Sequence, residues 1–500
     1  MADPKTMPAY LVRLQADASG LTIDGQDVRD HMVGTLYRRA EQIADACSHA
    51  AAGAASGATA PAPAPAASSR LRRKSWDSRL DDLLTAPLWG LLAMLGVLGV
   101  LFWLTLVGAN YPSRLLGRLL FGLGDALSAL FRAAHAPDWL HGLLVLGMYR
   151  SLAWVVAVML PPMAIFFPLF TLLEDFGYLP RVAFNLDSLF RRAGAHGKQS
   201  LTMSMGFGCN AAGVIACRVI DSPRERLIAI VTNTFVPCNG RFPTLIALAS
   251  IFFGGMGVAG ATRGAIAATA VVLALVLAGI AVTLLVSRLL AGTVLRGIPS
   301  VFVLELPPYR LPQPGRILVR SIFDRTLFVL TRAAMIAAPA GALVWIMANV
   351  SISNTAGIPG GAVGGDTILS VVASLLAPLG RFLGMDGYVL TGFLLGLPAN
   401  EIVLPITLMG YTSAGTLTEV EGLASLRGVL VANGWTSLTA LCVMLFSLLH
   451  FPCGTTLLTI YRETGSRKWT ALAALLPTAV AVTVCALVAG GARLIVAAFP

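Results

Sequence analysis

Charge is what this sequence has least of. Only 12% of its 500 residues are Asp, Glu, Lys or Arg, while 56% are hydrophobic and the mean hydropathy is +0.77. Soluble domains carry about 25% charged residues, so a wholly water-facing surface is excluded. The seven cysteines contain no C-x-x-C pair, which excludes a disulfide framework and a zinc module. The first 70 residues lack the apolar core of a secretory signal.

What the chain has instead is long stretches without charge. Runs able to cross a hydrocarbon core of roughly 30 Å occur at Trp89–Ser113, Ser151–Leu173, Gly264–Ser287, Ala333–Gly365, Gly428–Tyr461 and Trp469–Ala492. With the shorter runs between them they predict an all-α polytopic membrane protein of about nine or ten spanning or re-entrant helices. The net charge of +11 would also fit nucleic acid. The basic residues, however, flank apolar runs, where they mark the cytoplasmic side of a membrane, and no nucleic-acid partner is expected. Arg70, Arg72, Arg73 and Lys74 thus place the N-terminus inside; Arg310, Arg316, Arg320 and Arg325 mark a second inside loop and the stretch 350–366 an outside one. Arg462, Arg467 and Lys468 also read as inside, which a plain count of spans reproduces only if one segment is re-entrant.

Three regions follow. Residues 1–49 form a short soluble helical segment, with Val28, Met32, Leu36, Ile43 and Cys47 along one face. Residues 50–69, almost only Ala, Gly, Pro and Ser, are a linker. Residues 70–500 are the membrane domain, with two amphipathic helices predicted at its interface, one bearing Trp76, Leu80, Leu83 and Leu84, the other Leu116, Leu120, Leu123, Leu127 and Phe131.

The membrane domain repeats itself. Residues 186–210 align with 376–400 at a constant offset of 190, matching at seven of 25 positions, among them Gly194 with Gly384, Gly197 with Gly387, Gly206 with Gly396 and Asn210 with Asn400. Each copy is followed by a Pro-Cys, at Cys238 and at Cys453. Duplicated, interrupted apolar segments point to a transporter's binding site, because broken helices turn polar backbone toward a central cavity. Gly206 and Gly208, and Pro398 in the second copy, allow the break; Cys209, Asn210, Asn400 and Glu401 supply polar groups there. The competing reading, glycine-mediated helix packing with a satisfied asparagine, leaves Glu401 unexplained. A carboxylate in mid-span is costly and by default functional. Any one cysteine is most simply packing; three at breaks make a shared site. Sulfur, amide oxygen and carboxylate together suit a divalent first-row transition metal, without separating cobalt, manganese, iron and zinc.

These motifs carry a resemblance. "LLEDFGYLPR" (172–181), "GFGCN" (206–210), "SPRERL" (222–227), "CNGR" (238–241), "ELPPYRLP" (305–312), "LPANEIV" (397–403) and "FPCGTTLLTIYRETGS" (451–466) resemble the membrane part of the ferrous iron transport protein B family, from about Trp76 to the C-terminus. The resemblance implies ferrous iron as the transported substrate, a bacterial inner-membrane location, two gate repeats at about 172–290 and 327–465, and Cys209, Asn210, Cys238, Glu401 and Cys453 as metal-contacting positions. Gly206, Gly208, Asn400, Pro398 and His450 are assigned to the path or gate. So are Glu174 and Asp175, adjacent carboxylates that point to different faces of a helix. The family's GTPase loop G-x-x-x-x-G-K-S/T is not in this sequence; the nearest stretch, "GAHGKQS" at 194–200, lacks both the leading glycine and a Ser or Thr directly after Lys198. No nucleotide is therefore expected on this chain, and a separate GTPase or small accessory protein, lipid and a second copy of the chain are the expected partners. Alternatives are a carrier of another divalent metal or a nucleoside-like solute, and a non-transporting membrane interaction protein. An enzyme is disfavoured, since His450 three residues from Cys453 reads as packing or gating rather than a nucleophile pair.

Overall fold

A computed structural model of the chain divides into two units, Met1–Ser78 and Arg79–Pro500. It describes residues 89–254, 261–296, 321–351, 367–417 and 422–498, with isolated positions between 35 and 43, at 84 and 86, and at 313, 315 and 319. The linker, the Arg70–Lys74 cluster, most of the first interfacial helix, "ELPPYRLP" with Arg310, and the stretch 352–366 lie outside the described residues. In the first unit the described positions between 35 and 43 are helical.

In the second unit α1 (Trp89–Ala133) runs unbroken for 45 residues past Pro112, about 68 Å at helical rise. The amphipathic stretch from Leu116 to Phe131 is thus the continuation of the first span rather than a separate interfacial helix, because its half-buried face keeps packing on the next helix: Tyr149 Oη donates to Leu120 O at 2.7 Å. That next helix, α2 (Asp138–Asp175), contains Pro161, Pro162 and Pro168, tolerated where neighbouring helices bury the freed carbonyls.

The first copy then begins with amphipathic α3 (Tyr178–Arg192), followed by α4 (Gln199–Gly208) and α5 (Asn210–Ala216). These two short helices fold back on each other: a Cβ on Gly213 would meet Gly206 Cα at 2.9 Å. They form a re-entrant hairpin whose tip is Gly208–Asn210. A broken span follows, α6 (Pro223–Thr232) and α7 (Phe242–Phe252), interrupted by a 3-10 turn and extended residues. Ser222 starts α6 by accepting from Glu225 N, with Pro223 at the first helical position. The long helix α8 (Ala261–Gly292) completes the copy.

After α9 (Phe328–Asn349) the pattern recurs. Amphipathic α10 (Ile368–Leu383) turns by 107° into α11 (Gly387–Leu395), and α12 (Val403–Thr412) returns beside α11, with Tyr388 and Tyr411 rings 5.7 Å apart. This is the second hairpin. Beyond α13 (Leu423–Ala432) come α14 (Ser437–Leu449) and α15 (Gly454–Thr464), broken at His450–Cys453, and the closing helix α16 (Arg467–Ala498). Among the described residues six helices are long and apolar enough to cross a membrane, or seven if the bent pair α10–α11 is one span, and three shorter apolar helices lie among them.

The repeat is reproduced atom for atom at its caps. Ala195 N donates to Phe190 O and Met385 N to Gly380 O, the same Schellman closure 190 residues apart, with Gly194 at φ +70° and Gly384 at φ +79°. The two copies are also inverted. The root of the first hairpin lies at the end of α15, just before α16 begins, through the Arg218–Glu463 pair, whereas Gly384 at the root of the second lies against Ala489 near the end of α16, about 33 Å from the start of that helix by its rise. The hairpins therefore enter from opposite ends and their tips meet in the middle.

Candidate metal path

Four interruptions converge at that midpoint. At the first tip Cys209 is extended, φ −155° and ψ 124°; at the second its counterpart Ala399 has φ −154° and ψ 124°. Each extended residue is followed by the paired asparagine, Asn210 opening α5 and Asn400 opening a 3-10 turn that carries Glu401. Each broken span is tied to a hairpin tip by the residue after its cysteine: Asn239 N donates to Gly208 O at 3.4 Å, and Gly454 N donates to Leu397 O at 2.6 Å.

The cavity between them has a volume of about 30 Å³, and its lining includes Cys209, Asn210, Cys238, Glu401 and Cys453 together with Gly208, Pro398 and Asn400. All five sequence-predicted metal-contacting residues therefore face one space, although they are spread over 245 positions of sequence. The carboxylate of Glu401 packs over Gly240, where a Cβ would collide with it. The carboxamide of Asn210, with its nitrogen donating to Gly206 O and Val236 O at 3.1 Å each, holds the first tip against the first broken span. Two buried lining oxygens, Asn400 Oδ1 and Thr455 Oγ1, have no hydrogen-bond partner among the described residues. Orphaned buried acceptors are costly, and here they sit where a cation would satisfy them. Cys453 Sγ lies 3.3 Å from Thr456 Oγ1. Among the described residues no three His, Cys, Asp or Glu side chains are close enough to enclose a metal; the lining is a set of dispersed donors.

The remaining predicted positions fall around this space. Gly206 is behind the first tip, where a Cβ would meet Asn233 Oδ1 at 2.7 Å. His450 is buried behind the second broken span, its Nδ1 within 2.9 Å of Phe446 O and its ring packed on Phe393, Phe446 and Phe451. Glu174 and Asp175 stand exposed at the end of α2 and do not line the cavity.

Comparison with known proteins points to the family that the motifs resemble. The model described as "Gate: Nucleoside recognition" matches residues 156–252 and 330–467, each segment containing one hairpin and one broken span, and the model "Ferrous iron transport protein B C terminus" matches residues 272–324. The chain is similar to the ferrous iron transport protein B family in its membrane part. It is 29% identical over 419 residues to the Fe(2+) transporter FeoB of Staphylococcus aureus (strain MSSA476), covering 81% of this chain and 57% of that protein. To the Fe(2+) transporter FeoB of Methanocaldococcus jannaschii it is 28% identical, covering 78% and 55%. A Porphyromonas gingivalis Fe(2+) transport protein A/Fe(2+) transporter FeoB fusion protein is 26% identical, with 80% and 50% covered. The chain spans about half the length of the curated relatives it matches. No solved structure matches it.

Several lining residues had no distinguishing mark in the sequence. Met159 and Met163 contribute soft thioethers from α2; a methionine in an apolar span reads as core, and the only signal was the Pro161-Pro162 pair between them. Thr455 and Thr456 look like ordinary helix-start residues until Cys453 is seen as the N-cap of α15.

Proposed function

We propose that the chain moves ferrous iron across a bacterial inner membrane through the central cavity. The observation that carries this reading is the convergence of both hairpin tips and both broken spans on one space of about 30 Å³ whose lining includes three cysteines, two methionines, three asparagines and one glutamate. A soft, mixed donor set favours a first-row transition metal over magnesium or calcium. Dispersed rather than clustered donors favour a passing ion over a resident one, since conduction requires binding that is easily undone. The same volume speaks against a nucleoside as cargo, because small-molecule pockets run from about 300 Å³ upward.

Sidedness follows from charge. Arg191, Arg192, Lys198, Arg218, Arg224, Arg226, Arg462, Arg467 and Lys468 all belong to the end where the first hairpin is rooted, which makes that end cytoplasmic. Iron entering from the other side meets the second tip first. The fusion to a transport protein A in one of the relatives supports an accessory protein as a partner of this chain.

Anaerobic uptake of radiolabelled iron in cells tests the reading. Cys209→Ser and Glu401→Ala are each expected to lower uptake by about tenfold or more, a barrier change of about 1.4 kcal/mol, while reaching the membrane in normal amount. Uptake at the parental rate in both would remove the cavity from the path. Competition by manganese, zinc or cobalt as strong as that by unlabelled iron would reassign the cargo to another divalent metal.

A further inference from the structure

Arg241 is buried to 1% exposure at the start of α7. Its guanidinium donates to four backbone carbonyls: from Nη1 to Thr234 O at 3.3 Å and Leu448 O at 2.7 Å, and from Nη2 to His450 O at 3.3 Å and Phe451 O at 3.4 Å. Leu448 O lies in the last turn of α14, and His450 O and Phe451 O lie in the interruption between α14 and α15, all on the opposite copy. Leu448 O and His450 O are among the carbonyls that the end of α14 leaves without intrahelical partners, at the negative end of its dipole.

The two copies solve the same problem differently. In the first, Val236 O at the break is reached by Asn210, a residue of the same copy. In the second, Asn400 is the counterpart of Asn210, yet its Oδ1 is left unpartnered, and the break is held by Arg241 from across the copy boundary. The position equivalent to Arg241 by the Pro-Cys register is Thr456, which bonds Cys453 instead. Pseudo-symmetry is thus broken by one fixed cation in a cage of carbonyl oxygens.

We propose that Arg241 is a tethered cation that occupies a carbonyl cage and pins the second broken span shut against the first, and that the vacated cage would accept a free guanidinium ion. Planar donors on two nitrogens match carbonyls arranged on two sides; a lysine ammonium, a compact point donor, reaches fewer of them. The pin sits three residues from Cys238 and beside the turn that carries Cys453, so its loss frees both sulfurs to meet solvent. Arg241 is accordingly a positioning residue for the path. The inference rests on the proposed reading only in calling the cavity a path, and its test contains no iron.

The full chain in lipid nanodiscs is treated with N-ethylmaleimide, and modification of Cys238 and Cys453 is followed peptide by peptide. Arg241→Ala is expected to raise both rates by about tenfold or more, in keeping with loss of several charge-assisted hydrogen bonds. Millimolar guanidinium is expected to return the rates toward the parental value, whereas tetramethylammonium at the same concentration leaves them raised; Arg241→Lys falls between. Parental rates in Arg241→Ala, or raised rates that guanidinium does not lower, overturn the proposal. Thermal unfolding covers a poorly folded variant: guanidinium raising the midpoint of Arg241→Ala but not of the parent supports the cage, and no difference between the two rejects it.

Discussion

Two glycines at the cavity have neighbours of opposite character, and this separates stability from transport residue by residue. A Cβ on Gly208 would land in the ring of Phe166, which is wedged beside Phe167 and stacked on Phe170 at 5.7 Å. A Cβ on Gly240 would land in the carboxylate of Glu401, the free end of a flexible side chain. Gly208→Ala is therefore expected to cost about 1–3 kcal/mol through overpacking, seen as a lower unfolding midpoint in nanodiscs. Gly240→Ala is expected to leave the midpoint near the parental one while iron uptake falls, because Glu401 is pushed from its place. An equal loss of stability in both variants would contradict this division. At this scale the sequence was informative wherever a polar atom stood in oil: Cys209, Asn210, Asn400 and Glu401 stood out for that reason. Arg241 was visible only as the last letter of "CNGR", because its partners are backbone carbonyls, which every sequence has. Met159 and Met163 stayed hidden because their function, if to face an ion, leaves no trace in hydropathy.

The next scale is the helix and its ends. Gly194 and Gly384 occupy the left-handed region at matched helix ends, each with a close neighbour: Ala291 Cβ at 2.7 Å for the first, Cys442 Sγ at 2.9 Å for the second. Alanine at either position forfeits the conformation and meets that neighbour, so each substitution is expected to cost roughly 1–3 kcal/mol with similar size in the two copies, measured as the unfolding midpoint of each variant. A large inequality would mean that the caps are alike in geometry but not in load. At the basic end the root of the first hairpin is laced by Lys198, whose amine reaches Val219 O at 3.1 Å and Asp221 at 2.8 Å. Hydrogen bonding and attraction from Lys198 hold the Asp221 carboxyl below its ordinary range. The pair thus supports the root above an ordinary aspartate pKa of about 3.9 and loses that support as the pH falls through the lower folded value. Being solvent-exposed, it is a small effect. The repeat itself was legible at this scale, since three glycine intervals and an asparagine recur at one offset. The hairpins were not: ten apolar residues that turn back and twenty that continue have the same hydropathy, and only the contact of α4 with α5, or α11 with α12, tells them apart.

For the whole molecule the decisive property is inversion, which neither residue pattern nor helix length encodes. Two copies running in opposite directions put both tips at the midpoint and place a side-chain clasp where the first copy meets the second at the basic end: Arg218 Nε and Nη2 each lie 2.8 Å from a Glu463 oxygen, a bidentate fit. Glu463 raises the Arg218 pKa further above an already high value, so the arginine remains charged throughout any accessible pH. Arg218 is 69% exposed and Glu463 only 12%, which limits the stabilisation to about 0.2–1 kcal/mol. If the clasp joins the copies rather than serving either one alone, Arg218→Ala and Glu463→Ala should lower the unfolding midpoint by similar small amounts, and the double variant should lower it no further than the larger of the two. The exchanged pair, Arg218→Glu with Glu463→Arg, should recover part of the loss. At about 1 M salt, where the screening length shrinks to roughly 3 Å, the single variants should approach the parent. Additive losses in the double variant, undiminished by salt, would show that the two side chains act on separate parts of the fold, and the first hairpin would then have to be anchored to the second copy through backbone and apolar packing alone.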